Sequence, residues 1–308
     1  MKHLFIVNPV AGGSDKTEQL KVQLKKAFAG REGEEYEIYV TTEPMDAARE
    51  VKSRAITGEE CRIYACGGDG TFNEVVCGAA GFSNIAVCPL PTGTGNDFCR
   101  MFGDEKDLYR DIDLLIDGTI RPIDLIECNG RYSANLCSVG VDARIGCNVH
   151  NYTHLPFLGG SGAYVASCIV EVFKGISTRM KIKCGDYSVD APISLCCVCN
   201  GRYYGGGFNP SLTAMPDDGE LDIFIAKGMH LPALAMNIGK YASGRSDEIS
   251  KWITHLKGTE LSIELEKPDV VNIDGEAITA KKINMRLIPG ALNLVIPKGM
   301  KFFDGAEA

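Results

Sequence analysis

Three glycine-rich turns carry the most chemistry in this sequence. They are Asn8-Pro9-Val10-Ala11-Gly12-Gly13, Gly67-Gly68-Asp69-Gly70-Thr71 and Pro91-Thr92-Gly93-Thr94-Gly95-Asn96-Asp97-Phe98, and each follows a short apolar run that reads as a strand. Glycine lets the main chain approach phosphate oxygens closely, and a helix opening after the turn aims unpaired N–H groups at negative charge. One such turn is ordinary turn chemistry. Three of one design, two of them bearing Thr and Asp, predict a phosphate site. Asp69 sharpens that expectation, because a carboxylate beside phosphates repels them unless Mg²⁺ lies between. The other use of Asp69 is a cap on a helix starting at Thr71, and Asp97 reads both ways too. Neither the P-loop pattern nor GxGxxG occurs, so the phosphates must be held by another arrangement.

Two acidic turns stand out in the second half. Asp274-Gly275-Glu276 follows the apolar run 270–273, and by residue type alone it reads as a hairpin turn. Met215-Pro216-Asp217-Asp218-Gly219-Glu220 offers carboxylates and main-chain carbonyls in a tight turn, a donor set for a hard cation or, again, a plain hairpin. Cys196-Cys197-Val198-Cys199 lies in an apolar run with no partner pair nearby, which predicts buried structural thiols rather than a metal site. The five histidines form no spaced ligand set.

The elements that must position these turns change character along the chain. Strands at 3–7, 36–40, 62–66 and 85–90 alternate with helical spacing over 17–28, 47–55 and 72–80, and a helix marked by Leu108, Ile112 and Leu115 is expected to end on a left-handed Gly118. Such alternation means βαβ units and a mostly parallel sheet. From about residue 123 the texture becomes β-rich. Asn129-Gly130 predicts a hairpin between 123–128 and 131–139, and further strands are expected at 180–184, 193–199, 221–226, 261–265, 270–273, 283–288 and 292–296, with helices over 164–173 and 231–242. This pattern gives an α/β N-terminal domain, 1–122, followed by a β-rich C-terminal domain, 123–296, an antiparallel sandwich or barrel.

Length and composition agree. The 308 residues suit about two domains at ~150 residues each. Hydrophobic residues at 45% and charged residues at 23% are ordinary for globular protein. No apolar run approaches the ~20 residues of a membrane-spanning helix, and the apolar start is too brief for a secretory signal. The net charge of −8 argues against a nucleic-acid partner. Thirteen cysteines, an odd number, read as reduced thiols of a cytoplasmic protein.

Gly67 through Thr71 with Asn73-Glu74, the early Asn8-Pro9 turn, Pro91 through Phe98, Asn200 through Gly207, Asp217-Asp218-Gly219 and Asp274-Gly275-Glu276 together resemble the diacylglycerol kinase catalytic-domain superfamily, which includes sphingosine and ceramide kinases. The order matches over nearly the whole chain, and the soluble bacterial lipid kinases are the nearest in pattern. The resemblance implies an α/β N-terminal nucleotide domain, 1–122, with a C-terminal antiparallel β-sandwich domain, 123–296, in an ATP-dependent lipid kinase acting on a diacylglycerol-like hydroxyl. It implies ATP contacts at Asn8, Gly12, Thr41, Gly67, Gly68, Asp69, Gly70, Thr71, Phe72, Asn73, Glu74, Thr94, Asn96 and Asp97. Without it, Thr41 reads as a helix cap. It makes Asp274 or Glu276 the general base, with Glu276 favoured, and Asp69 a catalytic participant. It implies Mg²⁺ with the ATP, and a structural Mg²⁺ at Met215, Asp218 and Glu220 through one carboxylate and main-chain oxygens. It also implies a lipid acceptor between the domains and a tail, about 297–308, that returns to the first domain. Such an enzyme must touch a membrane surface transiently, as a peripheral protein. Arg144, Lys174, Arg179, Lys181 and Lys183 are candidates for a basic patch there. A homodimer is compatible with the sequence. The competing readings are an NAD kinase, which shares the Gly-Gly-Asp-Gly-Thr turn, and a regulator that binds nucleotide or lipid without catalysis.

Overall fold

The structure is a computed structural model of the chain and describes residues 1–13, 15–93, 95–148 and 175–304. It divides into two compact units, Met1–Leu125 with Pro289–Ala308, and Ile126–Ile288. Each crossing falls inside a strand, and the second comes at residue 288 rather than near 296, because the strand expected at 283–288 continues unbroken through 292–296.

Unit 1 contains β1 (Lys2–Val7), α1 (Thr17–Ala27), β2 (Glu35–Val40), α2 (Asp46–Ile56), β3 (Cys61–Gly67), α3 (Asp69–Ala79), β4 (Ile85–Pro91), α4 (Asp97–Arg100) and α5 (Ile112–Ile116). It also takes the start of β5 (Thr119–Cys128) and the end of β13 (Glu276–Ile296). β1 pairs parallel with β2 and β3, β3 pairs parallel with β4, and the last turn of β13 pairs parallel with β4. Leu4, Phe5, Ile6, Ile63 and Tyr64 are fully enclosed, with the Phe5 and Tyr64 rings stacked at 4.2 Å. The small apolar stripe Ala47, Ala48, Val51 and Ala55 buries α2 as its spacing predicts. β2 lies at the edge, and Tyr36 and Val40 of its alternating set are exposed.

The helix expected around Leu108–Leu115 is two pieces. A 3₁₀ stretch, Gly103–Arg110, stops at Asp111, whose side chain accepts from the Asp113 and Leu114 N–H groups and opens α5. Gly118 is not left-handed. A Cβ there would strike the Ile296 carbonyl oxygen, so the residue serves close approach, and Asp117 holds the cap position.

Unit 2 is built from antiparallel pairs. After β6 (Arg131–Ser133), β7 (Leu136–Gly140) and α6 (Val141–Asn148) come β8 (Thr178–Cys184), β9 (Tyr187–Cys199), β10 (Leu221–Lys227), α7 (Leu231–Tyr241), β11 (Ile253–Gly258) and β12 (Glu260–Ile273). β9 pairs with β7, β8 and β10, and β12 with β7, β8 and β13. β11 is absent from the sequence expectations because its outward residues are polar. Residues 261–273 form one strand with an irregularity between Glu264 and Asp269, not two. The run 131–139 is instead broken at Ala134-Asn135, for a reason given below. β9 is covered on both faces: Cys196 and Val198 enter one core, Cys197 and Cys199 the other. Burial pushes the Cys196 thiol well above its ordinary value, as expected for an inert structural thiol. The expected helix over 164–173 lies outside the described residues.

Candidate functional site

Strand register brings the three glycine turns to one end of the unit 1 sheet. Val7 lies opposite Val40 and Cys66, and Gly67 opposite Pro91. Asn8, Thr41, Gly68 and Thr92 therefore leave the sheet at one level, at the carboxyl ends of parallel strands, where open α/β sheets take ligands. The turns also bind one another. The Thr92 and Gly93 N–H groups both donate to the Gly67 carbonyl at 3.0 Å, and Asn8 Nδ2 donates to Thr71 Oγ1 at 3.1 Å. A Cβ on Gly93 would sit 2.7 Å from the Gly68 Cα, and one on Gly12 2.6 Å from the Thr92 carbonyl oxygen. Glycine is required at both for the backbones to meet.

Asp69 occupies the first turn of α3, with Gly68 at the cap position. Its Oδ1 accepts from the Asp97 N–H at 2.6 Å, so the helix it caps is α4, not one starting at Thr71. Gly95 packs so close to the Asp69 carboxylate that any side chain would collide with Oδ2. Asn96 is left-handed at φ 61° and donates from Nδ2 to the Gly93 carbonyl at 2.8 Å, while Asp97 is buried and pairs with Arg100 at 2.9 Å. Asp69, Gly67, Gly68, Phe72, Asn96 and Phe98 line a small cleft. Lys16, which sequence reading passed over, reaches in from the opening of α1: its Nζ donates to the Thr92 carbonyl at 2.9 Å and ties the first turn to the third. A lysine just beyond a Gly-Gly turn was the available signal.

Other expected nucleotide residues make contacts within the protein. Glu74 accepts from the Met45 N–H at 2.9 Å and the Ala47 N–H at 3.2 Å, so it caps α2, whose own cap residue supplies no side-chain bond. Phe72 is buried against Phe98, with ring centroids 4.7 Å apart, and Asn73 is buried and accepts from Cys77 Sγ. The Thr41 hydroxyl donates to the Val7 carbonyl at 3.3 Å rather than capping α2. Thr94 lies outside the described residues.

In unit 2, Asp274-Gly275 is a hairpin turn with both residues left-handed, at φ 50° and 95°. The chain thus does not stay extended through Gly275, and the two carboxylates part company. Asp274 accepts from Ser133 Oγ at 2.5 Å, the Ala134 N–H at 2.9 Å, the Asn135 N–H at 3.2 Å and the Leu136 N–H at 2.9 Å. This is why the ladder breaks between β6 and β7: the amides there turn to the carboxylate. Glu276 opens β13, is exposed, and has no hydrogen-bond partner among the described residues. Asp142 accepts from the Tyr204 hydroxyl at 3.2 Å, and the Tyr204 oxygen in turn accepts from the Tyr241 hydroxyl at 3.3 Å. Burial raises the Asp142 carboxyl to about 6.

The turn at 215–220 is tight, with Gly219 at φ 75° and Asp218 Oδ1 accepting from the Glu220 N–H at 3.0 Å. The Glu220 side chain pairs with Lys257 at 3.0 Å, and Met215 Sδ accepts from Arg202. Both could therefore offer a cation only main-chain oxygens. Desolvation raises the Asp218 carboxyl above its ordinary value. Among the described residues no three His, Cys, Asp or Glu side chains are grouped to hold a metal.

The sequence model of the diacylglycerol kinase catalytic domain matches residues 2–128, and that of the YegS C-terminal NAD kinase beta sandwich-like domain matches residues 135–296. The chain belongs to the diacylglycerol kinase catalytic-domain family. A Pseudomonas aeruginosa relative named "Probable lipid kinase YegS-like" is 30% identical over 301 residues, 97% of this chain and 95% of that one. A Bacillus anthracis crystal structure described as a "putative diacylglycerol kinase" is 28% identical with a TM-score of 0.74, covering 96% of this chain and 97% of the other. A second Bacillus anthracis structure, at 23% identity and TM-score 0.70, shares the fold. The chain accordingly has the two-domain plan of a lipid kinase family, with a β-sandwich-like second domain. Of the residues expected to form a basic patch, Arg144 is part-buried and pairs with Asp269 at 2.8 Å, Arg179 pairs with Asp190 at 2.8 Å, Lys181 stands opposite Glu264 and lines one hollow with Lys183 and Lys282, and Lys174 lies outside the described residues.

Proposed function

We propose that this lipid kinase transfers the γ-phosphate of ATP to a hydroxyl of a diacylglycerol-like lipid, with Mg²⁺. The observation that carries the reading is the meeting of the three glycine turns around Asp69 at the carboxyl ends of β1, β3 and β4. Main-chain N–H groups and the half-buried Lys16 suit phosphate oxygens, and a carboxylate among them suits a hard cation. Magnesium, when bound with ATP, would spread the charge that develops on the transferred group; Asp69 is the residue that would hold it. Glu276 takes the proton of the acceptor hydroxyl, and Asp274 positions it by pinning the turn. Asp69→Asn keeps the shape of the α4 cap but removes the charge, so phosphotransfer is expected to fall by at least about a hundredfold with the melting temperature little changed. Undiminished turnover would reject the assignment.

A second, structural Mg²⁺ is proposed at 215–220, held by Asp218 and the main-chain oxygens of Met215 and Glu220. A cation bound to the folded state stabilises by mass action. Millimolar Mg²⁺ without nucleotide should raise the melting temperature of the wild type and not that of Asp218→Ala; equal rises in both would make the turn a plain hairpin.

To separate lipid kinase from NAD kinase, γ-labelled ATP is offered with a mixed lipid extract and NAD⁺ together. Label in the organic phase supports the proposal, and label on the dinucleotide overturns it.

A further inference from the structure

Helix α7 is apolar on its exposed side as well as where it meets the core. At 100° per residue, the partly or fully buried side of Leu231–Tyr241 holds Ala233, Leu234, Asn237, Lys240 and Tyr241. The exposed side holds Leu231, Pro232, Ala235, Met236, Ile238 and Gly239, with no polar side chain among them. Leu231 is 50% exposed and Met236 79%. A surface helix of a water-soluble domain ordinarily turns its polar residues outward. Leu212, 54% exposed and packed over Gly244 just past the helix end, extends the apolar face.

The charge around this face is equally uneven. The stretch 227–252 carries Lys227, Lys240, Arg245 and Lys251 against Asp247 and Glu248, in a chain of net charge −8; Lys240 and Arg245 both pair with Glu248, at 3.2 and 3.5 Å, and the stretch keeps a net positive charge of two. At the start of the helix stands the chain's one tryptophan, Trp252, beside His230, with Lys251 Nζ 5.3 Å above its ring. Eleven residues span ~16 Å, far too little to cross a bilayer. An apolar helix face rimmed by cations with a flanking Trp suits the headgroup–acyl boundary of an anionic bilayer.

We infer that the outward face of α7 docks this protein onto anionic phospholipid membranes. The choice of a membrane as occupant, rather than a second copy, rests on the lipid-kinase reading and on the cationic rim, which two identical copies would bring into repulsion. Binding is measurable without turnover, so its outcome is separate from that of the kinase assignment.

The test uses the full chain with vesicles of phosphatidylcholine alone and of phosphatidylcholine with phosphatidylglycerol, without ATP, read by flotation and by Trp252 emission. Wild type should float with the anionic vesicles only, with a blue-shifted emission. Leu231→Asp and Met236→Asp change solvent-facing side chains and should fold normally; each is expected to weaken partitioning by at least about tenfold, since a buried apolar side chain is replaced by a charge. Turnover on a short-chain, water-dispersed acceptor should be unchanged in both. Equal partitioning of variants and wild type, or no vesicle binding by any of them, overturns the inference. So does a wild-type dimer in light scattering that either variant converts to monomer, since the face would then be a subunit interface.

Discussion

Glu276→Gln is expected to lower kcat by about 10²–10⁴-fold while the ATP dissociation constant stays within about twofold. The glutamine keeps the length and shape of the side chain and removes only its capacity to take a proton. Glu276 is exposed at the start of β13, and the described residues offer its carboxylate no hydrogen bond, so no folded contact is lost. A base that acts on the acceptor hydroxyl touches the attacking group and leaves the turns around Asp69 as they are. Kinetics at saturating ATP, together with nucleotide titration of the same variant, separate the two effects. Near-normal kcat would place the base elsewhere, and a loss of ATP affinity equal to the loss of rate would make Glu276 a binding residue.

Asp274→Asn is expected to act on stability first. Its carboxylate receives four donors, three of them main-chain N–H groups and the fourth the Ser133 hydroxyl. Three of the four share Oδ1, so an amide that keeps its oxygen there leaves the Ala134 N–H facing an NH₂ with no acceptor and takes the charge from the other three bonds. At about 1–3 kcal/mol for a group left unpaired, discounted because Asp274 is only half-buried, the loss is about 1–2 kcal/mol. That corresponds to a melting temperature lower by about 2–8 °C. The rate should fall as well, because the turn that carries Glu276 loosens. A large drop in kcat with an unchanged melting temperature would instead make Asp274 a direct participant in the chemistry.

What the sequence revealed, and what it hid, follows from the range of the interactions. Local patterns were legible. Apolar periodicity placed α1, α2 and the central strands of unit 1, and Asn129-Gly130 gave a hairpin with both residues left-handed, at φ 48° and 85°. The three glycine turns were readable because their chemistry is written in adjacent residues. Partners distant in sequence were not. The nest that holds Asp274 lies 138 to 141 residues away, at Ser133–Leu136, and nothing in the run 131–139 announces that its ladder must open. Glu74 looked like part of a nucleotide motif, yet its partners are amides 27 and 29 residues earlier. The stripe on α7 was visible as a helix, but helical spacing does not say which side meets the core. Here Ala233, Leu234 and Tyr241 meet it, while Leu231, Met236 and Ile238 face out.

The central claim is transfer of phosphate from ATP to a lipid hydroxyl. It is tested most directly by incubating the purified chain with γ-labelled ATP, Mg²⁺ and a defined diacylglycerol in mixed micelles, then measuring ADP and organic-phase label in the same samples. The account predicts one labelled lipid phosphate for each ADP, with neither formed when the lipid is left out. ADP released without labelled lipid, or no reaction with any glycerolipid, would contradict it.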